Sequence, residues 1–339
     1  MDMPLLQQTL SELGQPAYRE RQIWRWLSQG ADSFEVMTDL PRGLREALGE
    51  RLAFSSLTLE REARARDGTV KALLRTRDGR PVEAVLMTYR APRGVRGADP
   101  GAAGRRSLCL SSQSGCPLTC RFCATGAMRF HRNLSASEIV DQALHFRRSG
   151  PVDHAVFMGM GEPMMNLDAV LEACARLPAI GISHRRTAIS TVGWIPGIRR
   201  LTSEPMPIRL ALSLHAADDA LRCALMPVNE RYPLADVLQA CREHYERKRR
   251  RVFVEYVMLA GVNDSHVQAR QLAAVLDPRI FKVNLIPFNP TDAPYEGSSP
   301  KAIEAFRAEL ERQGLGATVR LTRGRDIDAA CGQLAARGA

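Results

Sequence analysis

No run of apolar residues in this chain approaches the ~18 that a helix needs to cross a bilayer. The opening segment, MDMPLLQQTLSELG, is amphipathic rather than continuously apolar, so it does not read as a secretory leader. A cytoplasmic chain without membrane association is expected. No internal repeat is visible, so the chain is not read as a repeat array, and the one biased stretch is an Arg/Gly-rich segment at 89–106. Acidic residues are short: Asp plus Glu number 37 against 47 Lys plus Arg, a formal charge of +10. That balance suits a polyanionic partner such as nucleic acid, although an Arg-rich genome produces it without function. With 339 residues, 45% of them apolar, the chain has enough core for one large domain and a smaller appendage. Disulfides are rare in the cytoplasm, so the eight cysteines point to metal binding or catalysis. Four of them fall between positions 109 and 123.

Residues 1–52 carry Leu and Trp at helical spacing, as in LLQQTLSELG, YRERQIWRWLSQ and GLREALGERLAF. Residues 57–88 change to a period of two, with Asp67-Gly68 and Asp78-Gly79 placed as hairpin turns. The stretch 89–106 reads as a flexible basic loop. From Ser107, strands at 107–112, 154–159, 187–191, 208–214, 252–258 and 282–287 alternate with helices such as 136–149, 167–177, 234–248, 266–276 and 300–313. Ser135 and Glu138 form a capping box, and Gly150-Pro151 stops that helix. Six βα units imply an α/β fold with a parallel sheet, open or curled into a partial barrel, and a site at the carboxyl ends of its strands.

The chemistry-bearing motifs fall at those ends. Cys116, Cys120 and Cys123 form C-x3-C-x2-C in the loop after the first of these strands. Three thiolates so spaced hold three irons of a cubane cluster and leave the fourth open to a substrate's amino and carboxylate groups. The competing reading is zinc, with His131 completing a tetrahedron; a non-catalytic, zinc-bound RNA-binding module would follow. Phe157-Met-Gly159-Met-Gly161-Glu162-Pro163 ends the second strand, where a backbone edge and one carboxylate suit an ammonium. Taken alone, Glu162 is equally an acid at a helix N-terminus. Cys331 lies in a polar loop near Arg323 and Arg325, which favour a thiolate. Cys109 lies on a strand, where burial is the default, and Cys174, Cys223 and Cys241 read as packing residues in helices. By alternation alone, Glu83 is an exposed strand residue.

The triplet with Phe122 before its last Cys, and the strand end at Gly159–Pro163, resemble the radical SAM superfamily. Over most of the chain the likeness narrows. Ser107–Cys116, Gly159–Pro163, Ser213-Leu214-His215, Asn284–Pro290 and Thr322-Arg-Gly-Arg-Asp-Ile-Asp-Ala-Ala-Cys331-Gly-Gln-Leu334 resemble the bacterial RNA adenine carbon-2 methyltransferases. The resemblance implies a partial (β/α)6 radical SAM barrel over 107–290. A helical RNA-binding accessory domain (1–55), a β-hairpin extension with the basic loop (56–106) and a C-terminal helix, strand and cysteine loop (291–339) complete the expected division. It implies a [4Fe–4S] cluster on Cys116, Cys120 and Cys123, and S-adenosylmethionine (SAM) held by Gly161, Glu162, Ser190, Ser213, Leu214, His215 and Asn289. The substrate is 23S ribosomal RNA and, in some members, transfer RNA. Carbon-2 of adenine is electron-poor and cannot attack a methyl group, so a carbon radical must add to it. In the implied mechanism Cys331 is methylated by one SAM, a second SAM yields the radical that activates this methyl, and the resulting carbon adds to the base. Glu83 removes the ring proton, and Cys109 then attacks Cys331 to free the product and leave a disulfide. An external, flavodoxin-like electron donor and a monomeric enzyme are also implied.

The target base must leave its stack to react. Phosphate contacts are expected from Arg90, Arg93, Arg96, Arg105 and Arg106, from Arg185-Arg186, and from the run Arg247–Arg251, part of which serves a helix C-terminus. The loop 89–106 and the segment Ala127–His131 depart from the family pattern. The alternative within the superfamily is a carbon-8 adenosine methyltransferase conferring antibiotic resistance, which 181–202 and 250–265 resemble as well; Pro163 and Thr322–Asp328 speak for carbon-2.

Overall fold

The structure is a computed structural model, and it describes residues 1–89 and 104–336. Three helices open the chain: α1 (Met3–Glu12), α2 (Tyr18–Gln29) and α3 (Arg42–Arg51). A meander follows, with β1 (Leu57–Arg64), β2 (Val70–Thr76), β3 (Pro81–Tyr89) and β4 (Arg105–Cys109) paired antiparallel. The ribbon β5 (Gln113–Ser114) and β6 (Arg132–Asn133) brackets the short helix α4 (Ala124–Ala127). Alternation then sets in: α5 (Ala136–Arg147), β7 (His154–Phe157), α6 (Leu167–Ile180), β8 (Thr187–Thr191), α7 (Ile195–Ser203), β9 (Arg209–Ser213), α8 (Asp219–Leu225), α9 (Leu234–Lys248), β10 (Val252–Met258), α10 (His266–Val275), β11 (Phe281–Pro287), α11 (Pro300–Arg312) and β12 (Ala317–Val319).

All strands but the ribbon join one sheet in the order β1-β2-β3-β4-β7-β8-β9-β10-β11-β12, parallel from β4 onward. The six expected parallel strands are present, and β12 adds a seventh at the edge. The expected hairpin turns fall at Gly68 and Gly79, both at positive φ. The basic stretch is shorter than expected at both ends, because Tyr89 pairs with Arg105; residues 90–103, with Arg90, Arg93 and Arg96, lie outside the described residues. Helix α5 starts with the expected capping box, the Ser135 hydroxyl accepting from the Glu138 amide and the Glu138 carboxylate from the Ser135 amide. It buries Ile139, Ala143 and Phe146 in the main core, each large side chain contributing roughly 1.5–3 kcal/mol of transfer free energy.

On the inner face of the sheet, side chains two residues apart line its length: 154, 156 and 158, then 209, 211 and 213, then 253, 255 and 257, then 284, 286 and 288. The same cavities are lined from both β4 and β12, so the sheet is curled. After β12 the chain returns to the meander as a strap, 320–336. The Gly324 amide donates to Asp67 at 3.1 Å, Arg66 donates its amide to Asp326 at 3.0 Å, and Lys71 reaches the Asp328 carbonyl at 3.1 Å. This strap bridges the two ends of the sheet and carries Cys331.

Candidate active site

The site is built where the parallel strands end. Past β4 the chain turns into the cysteine loop, which is fixed from two sides. The Arg121 amide donates to the Leu225 carbonyl at 3.0 Å, and the Ala124 amide donates to the Gly332 carbonyl at 2.8 Å. Cys116, Cys120 and Cys123 thereby line one cavity of about 940 Å³ of empty space, together with Gly161, Glu162, Ser190, Ser213, His215 and Cys331. Its walls are mainly apolar, from Phe157, Val257, Ile286 and Phe288. Burial pushes the Cys116 thiol up to about 12 and raises Cys120 and Cys123 as well, so a cationic group is required to hold the three as thiolates. His131 does not line this cavity, and among the described residues no three His, Cys, Asp or Glu side chains converge as ligands of one metal ion do. Thiols distributed around a cavity fit a cubane, whose irons take one thiolate each, and do not fit closed tetrahedral zinc.

At the end of β7 the backbone passes so close to its neighbours that only glycine fits. A Cβ on Gly161, which sits at φ +94°, would lie 2.5 Å from the Gln113 side chain, and one on Gly159 would lie 2.6 Å from the Ser111 hydroxyl. Glu162 is 3% exposed, and its two oxygens accept from the Met164 and Val192 amides, each at 3.0 Å. Burial still prevails and moves its carboxyl up to about 7. A buried carboxylate with no cation at hand is therefore aimed into the cavity. The Ser190 and Ser213 hydroxyls meet at 3.2 Å beside it. His215 takes a left-handed backbone, φ 62°, and its Nδ1 accepts from the Val257 amide at 3.0 Å. That bond fixes the proton on Nε2, and burial lowers the imidazole to about 3, so the ring is a neutral donor. Its edge meets Phe122 at 4.8 Å between ring centroids.

Cys331 lines both this cavity and an adjoining smaller one that holds Cys109, Met87, Asn289 and Arg320. Both thiols are free. Burial carries Cys109 up to about 12, with Cys331 adding to the rise; burial also raises Cys331, against the pull of Arg320. Expected cation support from Arg323 and Arg325 thus gives way to Arg320. Arg323 faces Asp67, and Arg325 donates to the Asn289 side chain at 3.1 Å.

Two expected cavity residues lie elsewhere. Leu214 is fully buried, with its amide on the Glu255 carbonyl at 3.0 Å. Asn289 faces the smaller cavity and donates to the Cys331 carbonyl at 3.1 Å. Glu83 is not exposed, as alternation alone suggested, but 1% exposed. Val82, Ala84 and Leu86 do face the main core, as expected. The opposite face, with Glu83, Val85 and Met87, is covered by the strap rather than by water. Lys71 pairs with Glu83 at 3.0 Å, and the Ala335 and Ala336 amides donate to it at 2.9 and 3.1 Å. Of the expected RNA contacts, Arg106 is committed to the Ser149 and Pro151 carbonyls, and Lys248 and Arg250 to those of Glu204 and Pro207. Cys174 and Cys241 pack in the core.

Sequence reasoning passed over Glu255, Arg320 and Arg222. A charged residue inside Val252-Phe-Val-Glu-Tyr-Val-Met258, a run that reads as a buried strand, was the available signal for the first. Arg222, fully buried, donates to the Val192, Ser213 and Leu214 carbonyls and to Asn229, tying together the strand ends beneath the cavity.

Residues 110–273 match the radical SAM superfamily, and residues 1–53 match the ribosomal RNA large subunit methyltransferase N-terminal domain. A probable dual-specificity RNA methyltransferase RlmN from Heliobacterium modesticaldum is 46% identical over 97% of this chain and 86% of its own length. One from Thermus thermophilus is 44% identical over 98% and 93%. The crystal structure of a radical SAM methyltransferase from Sphaerobacter thermophilus superposes with a TM-score of 0.89 at 42% identity, covering 99% of this chain and 98% of that one. These relatives do not favour the carbon-8 alternative. With its thiol triplet, its buried carboxylate and its full-length likeness to these proteins, the chain belongs to the RlmN family of radical SAM RNA methyltransferases.

Proposed function

We propose that this enzyme methylates carbon-2 of an adenosine in 23S ribosomal RNA, and in transfer RNA, through a methylated Cys331. The observation that carries the reading is the position of Cys331: its residue lines the cavity of the thiol triplet on one side and that of Cys109 on the other. Cys116, Cys120 and Cys123 would hold a [4Fe–4S] cluster. When bound, the cluster supplies the electron that cleaves SAM, and with it a route to a carbon that polar methyl transfer cannot reach.

The protein's own residues divide the remaining work. Glu162 receives the ammonium of SAM beside the Gly161 backbone. The Ser190 and Ser213 hydroxyls and the Nε2–H of His215 offer polar contacts to the rest of the molecule. Arg320 favours the thiolate of Cys331, the form able to accept a methyl group. Once that carbon radical is joined to the base, a carboxylate must take the ring proton, and the adduct gives up one electron, equal to the one spent on cleaving SAM. Glu83 does so once the Ala335 and Ala336 amides leave one of its oxygens, the other being held by Lys71. The Cys109 thiolate then attacks the Cys331 sulfur; the S–S bond forms, the bond from sulfur to the product carbon breaks, and the electron pair left on that carbon takes up a proton from solvent to complete the methyl group. An external electron donor of the flavodoxin type would supply the electron for SAM cleavage, and the disulfide must be reduced by an external reductant before the next turnover. Asn289 acts on the Cys331 loop, and Leu214 acts through its backbone. The helical segment 1–55 serves as an RNA-binding accessory to the barrel at 107–290, with the segments 56–106 and 291–339 carrying Glu83 and Cys331. Purified, cluster-loaded enzyme is expected to produce 2-methyladenosine in both RNAs by nucleoside mass spectrometry; formation of 8-methyladenosine alone would refute the reading.

A further inference from the structure

A third cavity opens at the opposite, amino-terminal end of the barrel strands, with about 1530 Å³ of empty space, part of it open to solvent. Its rim carries Arg105, Arg185, Arg186 and Arg209. Most arginines of this chain that face a carboxylate are paired with it, as Arg75, Arg132, Arg279 and Arg307 are. These four are not: among the described residues no carboxylate accepts from any of them. Two lie over aromatic rings instead, Arg105 on Tyr89 at 4.2 Å and Arg209 on Phe253 at 4.6 Å. Inward, the cavity shares its wall with the two already described. Met158 lines all three, Glu255 lines this one and the triplet cavity, and Arg320 lines this one and the Cys109 cavity.

At that shared wall a polar group lacks a partner. Glu255 is 4% exposed, and its Oε2 accepts no hydrogen bond. Its other oxygen accepts from Asn284 at 2.8 Å, and Thr318 donates to the Asn284 oxygen at 2.6 Å, which orients the amide. Arg320, 3.8 Å from Oε2, balances the charge without satisfying the acceptor. A buried acceptor held in place and left open calls for a donor from a ligand.

We propose that the amino-terminal mouth of the barrel is the chamber by which a flipped-out adenosine reaches Cys331, with Arg185, Arg186 and Arg209 taking backbone phosphates and the Glu255 carboxylate accepting the exocyclic amino group of the base. This rests on the RNA methyltransferase reading and adds the route and the base recognition. The triplet cavity must hold the cluster and SAM, so the base has to come from the other side of Cys331, and that side carries the uncompensated cations. A carboxylate also selects the base. Adenine presents an amino donor to it, whereas guanine presents a carbonyl oxygen at the same ring position and leaves two acceptors facing each other.

The test uses cluster-loaded enzyme and a short RNA stem-loop holding the target adenosine, with affinity read by fluorescence anisotropy across a salt series. The double variant R186A/R209A is expected to bind at least about tenfold more weakly, with the slope of log affinity against log salt shallower by about two. Replacing the target adenosine by purine riboside, which lacks the amino group, and replacing Glu255 by Ala are each expected to cost about tenfold. Combined, they should cost no more than either alone. E255Q, whose amide oxygen still accepts, should retain most of the affinity and serves where E255A does not fold; visible cluster absorbance and SAM binding report folding. Wild-type affinity and slope in R186A/R209A, or independent losses from E255A and purine riboside, would overturn the chamber while leaving the methyltransferase reading intact. A wild-type enzyme that neither binds nor methylates RNA would overturn both.

Discussion

At the scale of single residues, the two cysteines that line the smaller cavity differ in what their loss should do. C331A removes the methyl carrier, so methylation should vanish while the cluster's visible absorbance persists, since Cys331 is not one of the triplet. C109A leaves the carrier but removes the thiol that frees the product, so a covalent RNA adduct should accumulate, visible as a slower band on a denaturing gel and lost on C331A/C109A. Equal, adduct-free loss in both single variants would count against the division of roles. These residues were legible in the sequence because motif spacing marks thiols whatever their surroundings. Glu83 was only half legible. Its alternation out of the core was correct, but nothing in Val82-Glu83-Ala84 shows that a segment some 250 positions later covers that face. Arg320 was illegible for the same reason: its neighbours are Cys331, Glu255 and Cys109, none of them adjacent in sequence.

At the scale of elements, the parallel strands were read nearly to their ends, because buried β-branched runs bounded by Gly and Pro announce themselves. The edge strand β12, expected from the family likeness alone, and helix α7 are short, and local patterning does not record them. The strand ends are held by side chains rather than by ladder bonds, and Arg222 is the clearest case. R222L should leave several carbonyls and Asn229 without a donor in a buried site, at a cost of about 3 kcal/mol or more. A lowered midpoint in urea, together with weakened SAM binding, would check this. On the strap, N289A loses the bonds to the Cys331 carbonyl and to Arg325. Faster amide exchange at 325–335 is expected, equivalent to about 1–2 kcal/mol of easier opening, with exchange in β7–β11 unchanged.

At the scale of the whole molecule, acid should weaken the fold through buried imidazole. His244 is 1% exposed, its Nδ1 lies 2.8 Å from the Thr202 hydroxyl, and burial pushes it down to about 4. Its unfolded value is higher, so between pH ~6.5 and ~4 the unfolded chain binds the proton that the folded chain refuses. Stability is thus intact above the unfolded value and falls as pH drops towards 4, by on the order of 3 kcal/mol for this residue. Chemical denaturation at pH 7 and pH 5 should show the drop, and H244Q should reduce it; the same drop in H244Q would place the effect elsewhere.

The strap has a consequence for the order in which the enzyme is assembled. Its seating bonds join residues 252 to 260 positions apart, the most expensive loops to close among the described residues. The barrel strands, each adjacent in the sheet to one nearby in sequence, can pair before those loops close. During that interval the thiol triplet faces a barrel whose flank is still open. Docking of the strap, with Cys331 upon it, is therefore expected to come late, and it is the step that completes the wall of the triplet cavity.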